Sequence, residues 1–300
     1  GLVTAEGKIW KTHRKIISVS FHYEYIHSIV PEIVTIAQEI FEKLKRKGLN
    51  NVDIMQEFQS ITGEAVGRLF FGEKFSECSI QGKPAVEFIA DLITRVATEC
   101  FGPLYLAFGV KFVRAGILPR HRKLMSDIKE FRDFCRRILN QRMKEISEER
   151  KKGETNKKRK DMMENFYDQR LQNPAESFSD EEIIDEVATF FIAGMDTTGH
   201  LATMASYFLV KNPEYKQKLL EEIDVAFKDP SNVTLDSLNK MDFMTAFLKE
   251  SLRMGTPAPI VFKRVALEDH MLGGIRVTKG TQFGVGFLAN NFDERFHNDP

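Results

Sequence analysis

Residues 193–198 read Ala193-Gly194-Met195-Asp196-Thr197-Thr198, in the middle of a long apolar run. A buried helix gains nothing from Gly, Asp and Thr at its centre, and Gly alone costs about 1 kcal/mol relative to Ala. Thr197 can bond back to the carbonyl of Ala193, four residues earlier, and loosen the backbone ladder there. Gly194 removes the side chain at the same place. Together they predict a local bulge with room for a small ligand, a carboxyl and a hydroxyl. A carboxyl beside a hydroxyl in an apolar wall is a proton-delivery pair. The competing reading is a kinked core helix whose polar groups are all satisfied.

Glu250 and Arg253 lie three apart on one helix. Such pairs are common and worth a few tenths of a kcal/mol. At about 100° per residue, Glu250 shares the face of Phe243, Phe247 and Met254. A carboxylate on an apolar face needs a partner, and Arg253 can supply a bidentate one. The expectation is a fixed polar hub in the core. Trp10 and Arg14 are four apart on an early helix, with Lys11 and His13 beside them. An indole N–H and a guanidinium on one face suit an anion such as a carboxylate, or else form an exposed cation–π pair. Arg264, after Pro257-Ala258-Pro259, is another candidate anion donor. Gly284-x-Gly286-x-x-Ala289 imitates a dinucleotide fingerprint without a βαβ unit around it.

The elements that must position these groups are mostly helical. Apolar spacing predicts helices at 27–47, 53–71, about 85–100, and about 121–150. Residues 101–118 are strongly apolar yet broken by Gly and Pro, so they are either buried or an exposed loop dipping into an apolar surface. Residues 150–160 are basic, a solvated loop or a docking patch for an acidic partner or membrane. Ser179-Asp180-Glu181-Glu182 starts the long helix that reaches about Val210. Its apolar length, 187–210, would allow a membrane span, but Asp196 at mid-span costs about 3 kcal/mol on insertion scales. A buried core helix is the better account. Helices follow at about 213–227 and 241–254. Gly273-Gly274 and Lys279-Gly280 then punctuate Ile275/Val277 and Phe283/Val285/Phe287 as a small β region. The fold class is mainly α with a small β region near the C-terminus.

Length and composition agree. The chain has 300 residues, 42% hydrophobic and 29% charged. Such a chain can bury roughly three quarters of its unfolded surface. Basic and acidic residues balance at 43 each, which argues against nucleic-acid binding driven by phosphate neutralisation. Phe is used 25 times against six Tyr and one Trp, pointing to a core or an apolar ligand without polar handles. Cys78, Cys100 and Cys135 are odd in number and far apart, so they are expected to be buried thiols rather than disulfides or a zinc site.

In order and spacing, Gly7-x-x-Trp10-x-x-x-Arg14, Ala193-Gly194-x-Asp196-Thr197-Thr198 and Glu250-x-x-Arg253 resemble the cytochrome P450 superfamily of haem-thiolate monooxygenases. Pro257-Ala258-Pro259, Arg264, Gly273-Gly274 and Lys279-Gly280 follow in that family's order, and the resemblance covers nearly the whole chain. It implies one domain fragment over 1–300: early helices and a substrate roof (1–150), a basic linker and short helix (151–178), central helices with the oxygen groove (179–255), and a small β region (256–300).

The resemblance also implies roles. Asp196 and Thr197 would steer protons, and Ala193 and Gly194 would line an oxygen groove. Trp10, Arg14 and Arg264 would bind haem propionates, and Glu250 with Arg253 would lock the core beneath. The cofactor would be haem b with its iron, electrons coming from NADPH through a reductase partner. The reaction would insert one oxygen atom of O2 into an apolar organic substrate. Membrane-surface association at the cytosolic face of the endoplasmic reticulum follows, with a cytoplasmic enzyme as the alternative, and segment 101–118 would lie near substrate entry. The family's iron ligand is a Cys in a Phe-x-x-Gly-x-x-x-Cys-x-Gly loop, expected downstream of Pro300, and the N-terminal anchor is expected outside the chain as well. A polypeptide without that loop is expected to be inactive alone. The rival function is a non-catalytic helical binding module on the same scaffold.

Overall fold

Short polar caps and first-turn prolines decide where the helices begin. In the computed structural model, which describes residues 1–48, 50–153, 160–227, 233–259 and 264–297, α1 is Gly7–Ser18, α2 Tyr23–Lys47 and α3 Ile54–Val66. After a hairpin of β1 (Ser79–Ile80) and β2 (Lys83–Pro84) come α4 (Ala85–Cys100), α5 (Pro103–Arg114), α6 (Pro119–Lys151), α7 (Met162–Gln172) and α8 (Asp180–Phe190). Then follow α9 (Thr197–Lys211), α10 (Pro213–Ala226), α11 (Leu235–Leu238) and α12 (Asp242–Met254). The chain closes with β3 (Arg264–Val265), β4 (His270–Leu272), β5 (Ile275–Val277), β6 (Gln282–Phe283) and α13 (Phe287–Asn291). The Asp53 carboxylate accepts the N–H groups of Met55 and Gln56 at the start of α3, and Asp161 accepts that of Glu164 at the start of α7. Pro103, Pro119 and Pro213 open α5, α6 and α10, where a missing N–H costs nothing.

Two compact units emerge: Gly1–Gly199 with Asp229–Asp236, and His200–Lys228 with Ser237–Pro300. The core of the first is built on phenylalanines. Phe191 stacks on Phe71 at 5.9 Å and packs against Phe75 at 4.7 Å, and Phe75 meets the edge of Phe134 at 5.5 Å. Phe71, Phe75 and Phe191 are fully buried. Rings without a hydroxyl or indole N–H can fill such a centre with no polar group to satisfy. A buried ion cluster ties α6 to α7: Arg142 donates to Asp161 Oδ2 at 2.6 Å through Nη2 and at 3.2 Å through Nε, and to Glu164 at 3.4 Å. Gly72 ends a π-helical segment, Gly67–Phe71, in the left-handed conformation. A Cβ there would stand 2.7 Å from both Arg142 Nε and Asp161 Oδ2, so only glycine meets both the conformation and the close approach.

The start of α8 carries a capping box. Glu182 accepts the Ser179 N–H at 2.8 Å while Ser179 Oγ accepts the Glu182 N–H at 3.3 Å. Burial pushes the Glu182 carboxyl up, but the Ser179 bonds and His13 outweigh it and hold it below its ordinary 4.5. Its contribution to stability is therefore complete above that ordinary value and disappears as the pH falls through the lowered one. Ser179→Ala is expected to cost about 1 kcal/mol in urea unfolding at neutral pH. The stability gap between Glu182→Gln and the parent should close on acidification through the carboxylate range. A gap that stays constant well below that range would contradict the assignment.

Several expectations need correcting. The helix read at 53–71 is α3 followed by the π segment. Residues 101–118 are mostly the helix α5, broken at Gly109 (φ 71°, ψ −175°), with Phe108 exposed beside the break and Phe101 and Ile117 exposed on its flanks. The β1–β2 hairpin was not expected. Its turn is Gln81-Gly82, both at positive φ, the geometry a right-twisted hairpin needs, but Gln-Gly is a weak sequence signal for it. In the second unit the Gly273-Gly274 hairpin forms as expected, pairing His270 with Val277 and Leu272 with Ile275. Phe283 is in a strand opposite Arg264, whereas Phe287 opens α13 and does not extend that strand. Of the three cysteines only Cys135 is buried; Cys78 and Cys100 are half-buried. No helix among the described residues is long and apolar enough to cross a membrane. In the basic stretch 150–160, residues 154–159 lie outside the described residues, while Arg150 and Lys160 both pair with Asp168.

Candidate functional site

The long helix is interrupted where its sequence is odd. Between α8 and α9, residues Phe191–Asp196 form a π segment. Thr197 Oγ1 donates to the Ala193 carbonyl at 2.6 Å, the back-bond expected from the spacing. Ala193 is exposed, and Gly194 and Asp196 are half-buried. The wide turn is shaped by α3. Gln59, Thr62, Gly63 and Val66 are spaced i, i+3, i+4, i+7 and so share one face. Thr62 Oγ1 donates to the Met195 carbonyl at 2.9 Å, and Gln59 Nε2 donates to Asp196 Oδ1 at 2.9 Å. The backbones approach closely: a Cβ on Gly194 would stand 2.9 Å from Val66 Cγ2, and one on Gly63 would stand 2.9 Å from Met195 Sδ. The glycine that loosens the helix is also the one that lets α3 in.

Gln59 and Thr62 were missed in the sequence. The legible stripe on α3 was apolar, Phe58 and Ile61, yet these are only half-buried while Gln59, Gly63, Glu64 and Val66 are buried. The available signal was a pair of polar residues one turn apart, the second followed directly by a glycine, which ordinary surface helices also show.

Trp10 and Arg14 lie on the exposed face of α1, four apart. Among the described residues no carboxylate pairs with the Arg14 guanidinium. The adjoining stripe of the helix, His13, Ile16 and Ile17, is buried, so Trp10 and Arg14 stand at its exposed edge. His13 Nδ1 lies 2.8 Å from the fully buried Glu186 carboxylate on α8, its Nε2 3.3 Å from Glu182, and its edge meets Phe178 at 4.4 Å. Glu186 also accepts the Leu2 N–H at 3.0 Å. This buried pair, also missed, fixes the rotation of α1 and hence the direction in which Trp10 and Arg14 face. Two outward donors with no protein acid between them fit an anionic group supplied from elsewhere.

Among the described residues no cysteine lies in a cluster of side chains that could hold a metal ion. Burial and then Glu73 push the Cys78 thiol up to about 11. Burial also raises Cys135, and burial with Glu99 raises Cys100.

In the second unit, Arg253 forks onto Glu250, with Nη2 to Oε1 at 2.6 Å and Nε to Oε2 at 2.9 Å. The Arg253 bond holds the Glu250 carboxyl below its ordinary value. The expected buried hub is corrected: Glu250 is 59% exposed and Arg253 14%. The buried stripe of α12 is Phe247 and Ser251, and Glu250 sits about 60° and 100° from them around the helix, at the stripe's edge. Arg253 reaches the Asn291 carbonyl, and Asn291 Nδ2 donates back to the Arg253 carbonyl at 3.0 Å, so the pair staples α12 to α13. Arg264 is exposed on β3.

A family profile described as Cytochrome P450 matches residues 1–300. The chain belongs to the cytochrome P450 family. Among its P450 relatives, secologanin synthase 1 of Catharanthus roseus is 26% identical over 293 residues, covering 94% of this chain and 53% of that protein. Cytochrome P450 734A1 of Arabidopsis thaliana is 27% identical over 300 residues, covering 98% and 54%. The 7-deoxyloganic acid hydroxylase of Catharanthus roseus is 27% identical over 313 residues, covering 100% and 56%. The chain thus spans about half the length of these P450 relatives.

Proposed function

We propose that this chain is part of a haem-dependent monooxygenase acting on an apolar organic substrate. The reaction joins substrate R–H, O2, two electrons and two protons to give R–OH and water. The observation that carries this reading is the widened turn at Phe191–Asp196, with a hydroxyl and a carboxylate on its C-terminal side. Membership in the P450 family supports haem as the cofactor, and relatives named as hydroxylases support the reaction class.

The haem supplies, when bound, the iron at which dioxygen is reduced. The chain's own groups do the rest. Trp10 and Arg14 would hold a propionate from the exposed edge of α1 that the His13–Glu186 pair sets, and Arg264, on the family's motif order, would be a further propionate donor. Ala193 and Gly194 leave the wide turn free of bulk. Asp196 and Thr197 pass protons toward that turn, and the Thr197 hydroxyl, already donating to Ala193, offers its lone pairs to a proton-bearing water. Glu250 and Arg253 hold α12 in register with α13. We place the iron thiolate on a Cys outside these 300 residues, because none of Cys78, Cys100 and Cys135 stands in a Phe-x-x-Gly-x-x-x-Cys-x-Gly loop. Electrons come from NADPH through a reductase. Exposed Phe101, Phe108, Val110 and Ile117 around α5 support contact with a membrane surface near substrate entry.

The test is the carbon monoxide difference spectrum of the reduced complete protein. A thiolate-type spectrum with one haem per chain is the expected result. Failure to take up haem, or a spectrum of nitrogen-ligated iron, would overturn the proposal.

A further inference from the structure

Asp196 is held from outside its own helix. Gln59, buried on α3, donates to Asp196 Oδ1 at 2.9 Å. Gln59 is itself pinned: a Cβ on Gly199 would stand 3.1 Å from its Cγ and 3.2 Å from its backbone nitrogen. One turn further along, Thr62 ties the same face of α3 to the Met195 carbonyl. One carboxylate oxygen of Asp196 is thereby committed, and no group among the described residues bonds the other. Both Gln59 and Asp196 line an open cavity of about 590 Å³. Its charged walls are Lys43 of α2, Asp53 and Glu57 at the start of α3, Lys83 of β2, and Glu87 and Asp91 of α4. A polar space of that size holds many waters.

We propose that Gln59 is a positioning residue that fixes Asp196 at the wall of this water-filled cavity, so that the cavity is the entry route for the protons consumed in turnover. A proton from cavity water binds the uncommitted oxygen of Asp196 and leaves it toward Thr197, which regenerates the carboxylate. The inference rests on the monooxygenase reading and adds to it a residue on another helix and a route from solvent. A neutral amide donor orients the carboxylate without pinning the proton balance as a Lys or Arg would. An acid at position 59 would instead share one proton with Asp196 and raise the pair's titration.

The experiment uses the complete holoenzyme with a substrate it turns over, comparing parent, Gln59→Leu and Gln59→Glu. Product per electron consumed is measured against pH, together with hydrogen peroxide, haem content and thermal midpoint. Difference infrared titration of the Asp196 carboxyl, with Asp196→Asn as blank, gives a readout apart from turnover. Gln59→Leu should keep its haem and lose about tenfold in product per electron, the missing electrons appearing as peroxide, which takes two electrons and two protons per O2. Gln59→Glu, nearly isosteric, should move both the coupling profile and the Asp196 titration to higher pH. Unchanged coupling, pH profile and titration in Gln59→Glu would overturn the proposal, even if Gln59→Leu loses stability or haem. A parent that binds haem and couples electrons to product while the variants match it defeats this inference alone. A parent that never forms product defeats the monooxygenase reading with it.

Discussion

Thr197→Ala in the complete protein is expected to keep haem content and fold, and to divert most reducing equivalents from product to hydrogen peroxide. Position 197 lies where the helix returns from the π segment to α geometry, with its hydroxyl bonded to the Ala193 carbonyl. Alanine removes that bond without adding bulk and has the better helix propensity, so the fold should not suffer. The chemical loss is large because a positioned proton-transfer group contributes typically 10²–10⁴-fold to its step. Product per electron, measured with peroxide in the same vessel, decides it. Thr197→Ser, which keeps the oxygen, should restore most of the yield. Full product yield from Thr197→Ala would remove Thr197 from the proton path.

Arg142→Met is expected to give the largest loss of stability, about 3–5 kcal/mol, because it strands buried carboxylates without their cation. Arg142 is 5% exposed, Asp161 7% and Glu164 4%. Burial alone would lower the arginine's pKa; Asp161, Glu149 and Glu164 reverse this and hold it fully charged. The packing around Gly72, which abuts both Arg142 and Asp161, would be disturbed as well. Urea unfolding should show the loss at neutral pH. The double variant Arg142→Met with Asp161→Asn should recover part of it, since the amide oxygen still caps Glu164 and one buried charge is gone. Strict additivity of the two single losses would show that the pair is not coupled.

Local features of this fold were open to reading wherever the signal was itself local. The capping box at Ser179 and the glycine hairpin at Gly273-Gly274 need only neighbours in the chain. So does the break around Gly194 and Thr197, because the Thr back-bond spans four residues. Glu250 was misjudged because helical angle says which residues share a face, but not which neighbours cover that face. Residues 101–118 were ambiguous for the same reason: apolar composition is common to a buried segment and to an exposed one.

By itself the sequence determined the helical architecture, the place of the interruption in the long helix, and the order of motifs that marks a P450. These follow from periodicity, capping and spacing, which act over a turn or two. The tertiary structure decided who supports the motif residues. Gln59 reaches Asp196 across 137 positions and His13 reaches Glu186 across 173. No short-range pattern encodes such pairings. They arise because burying the phenylalanine core brings α3 and α1 against α8 and the π segment, and buried polar groups must then find partners among whatever that packing places beside them.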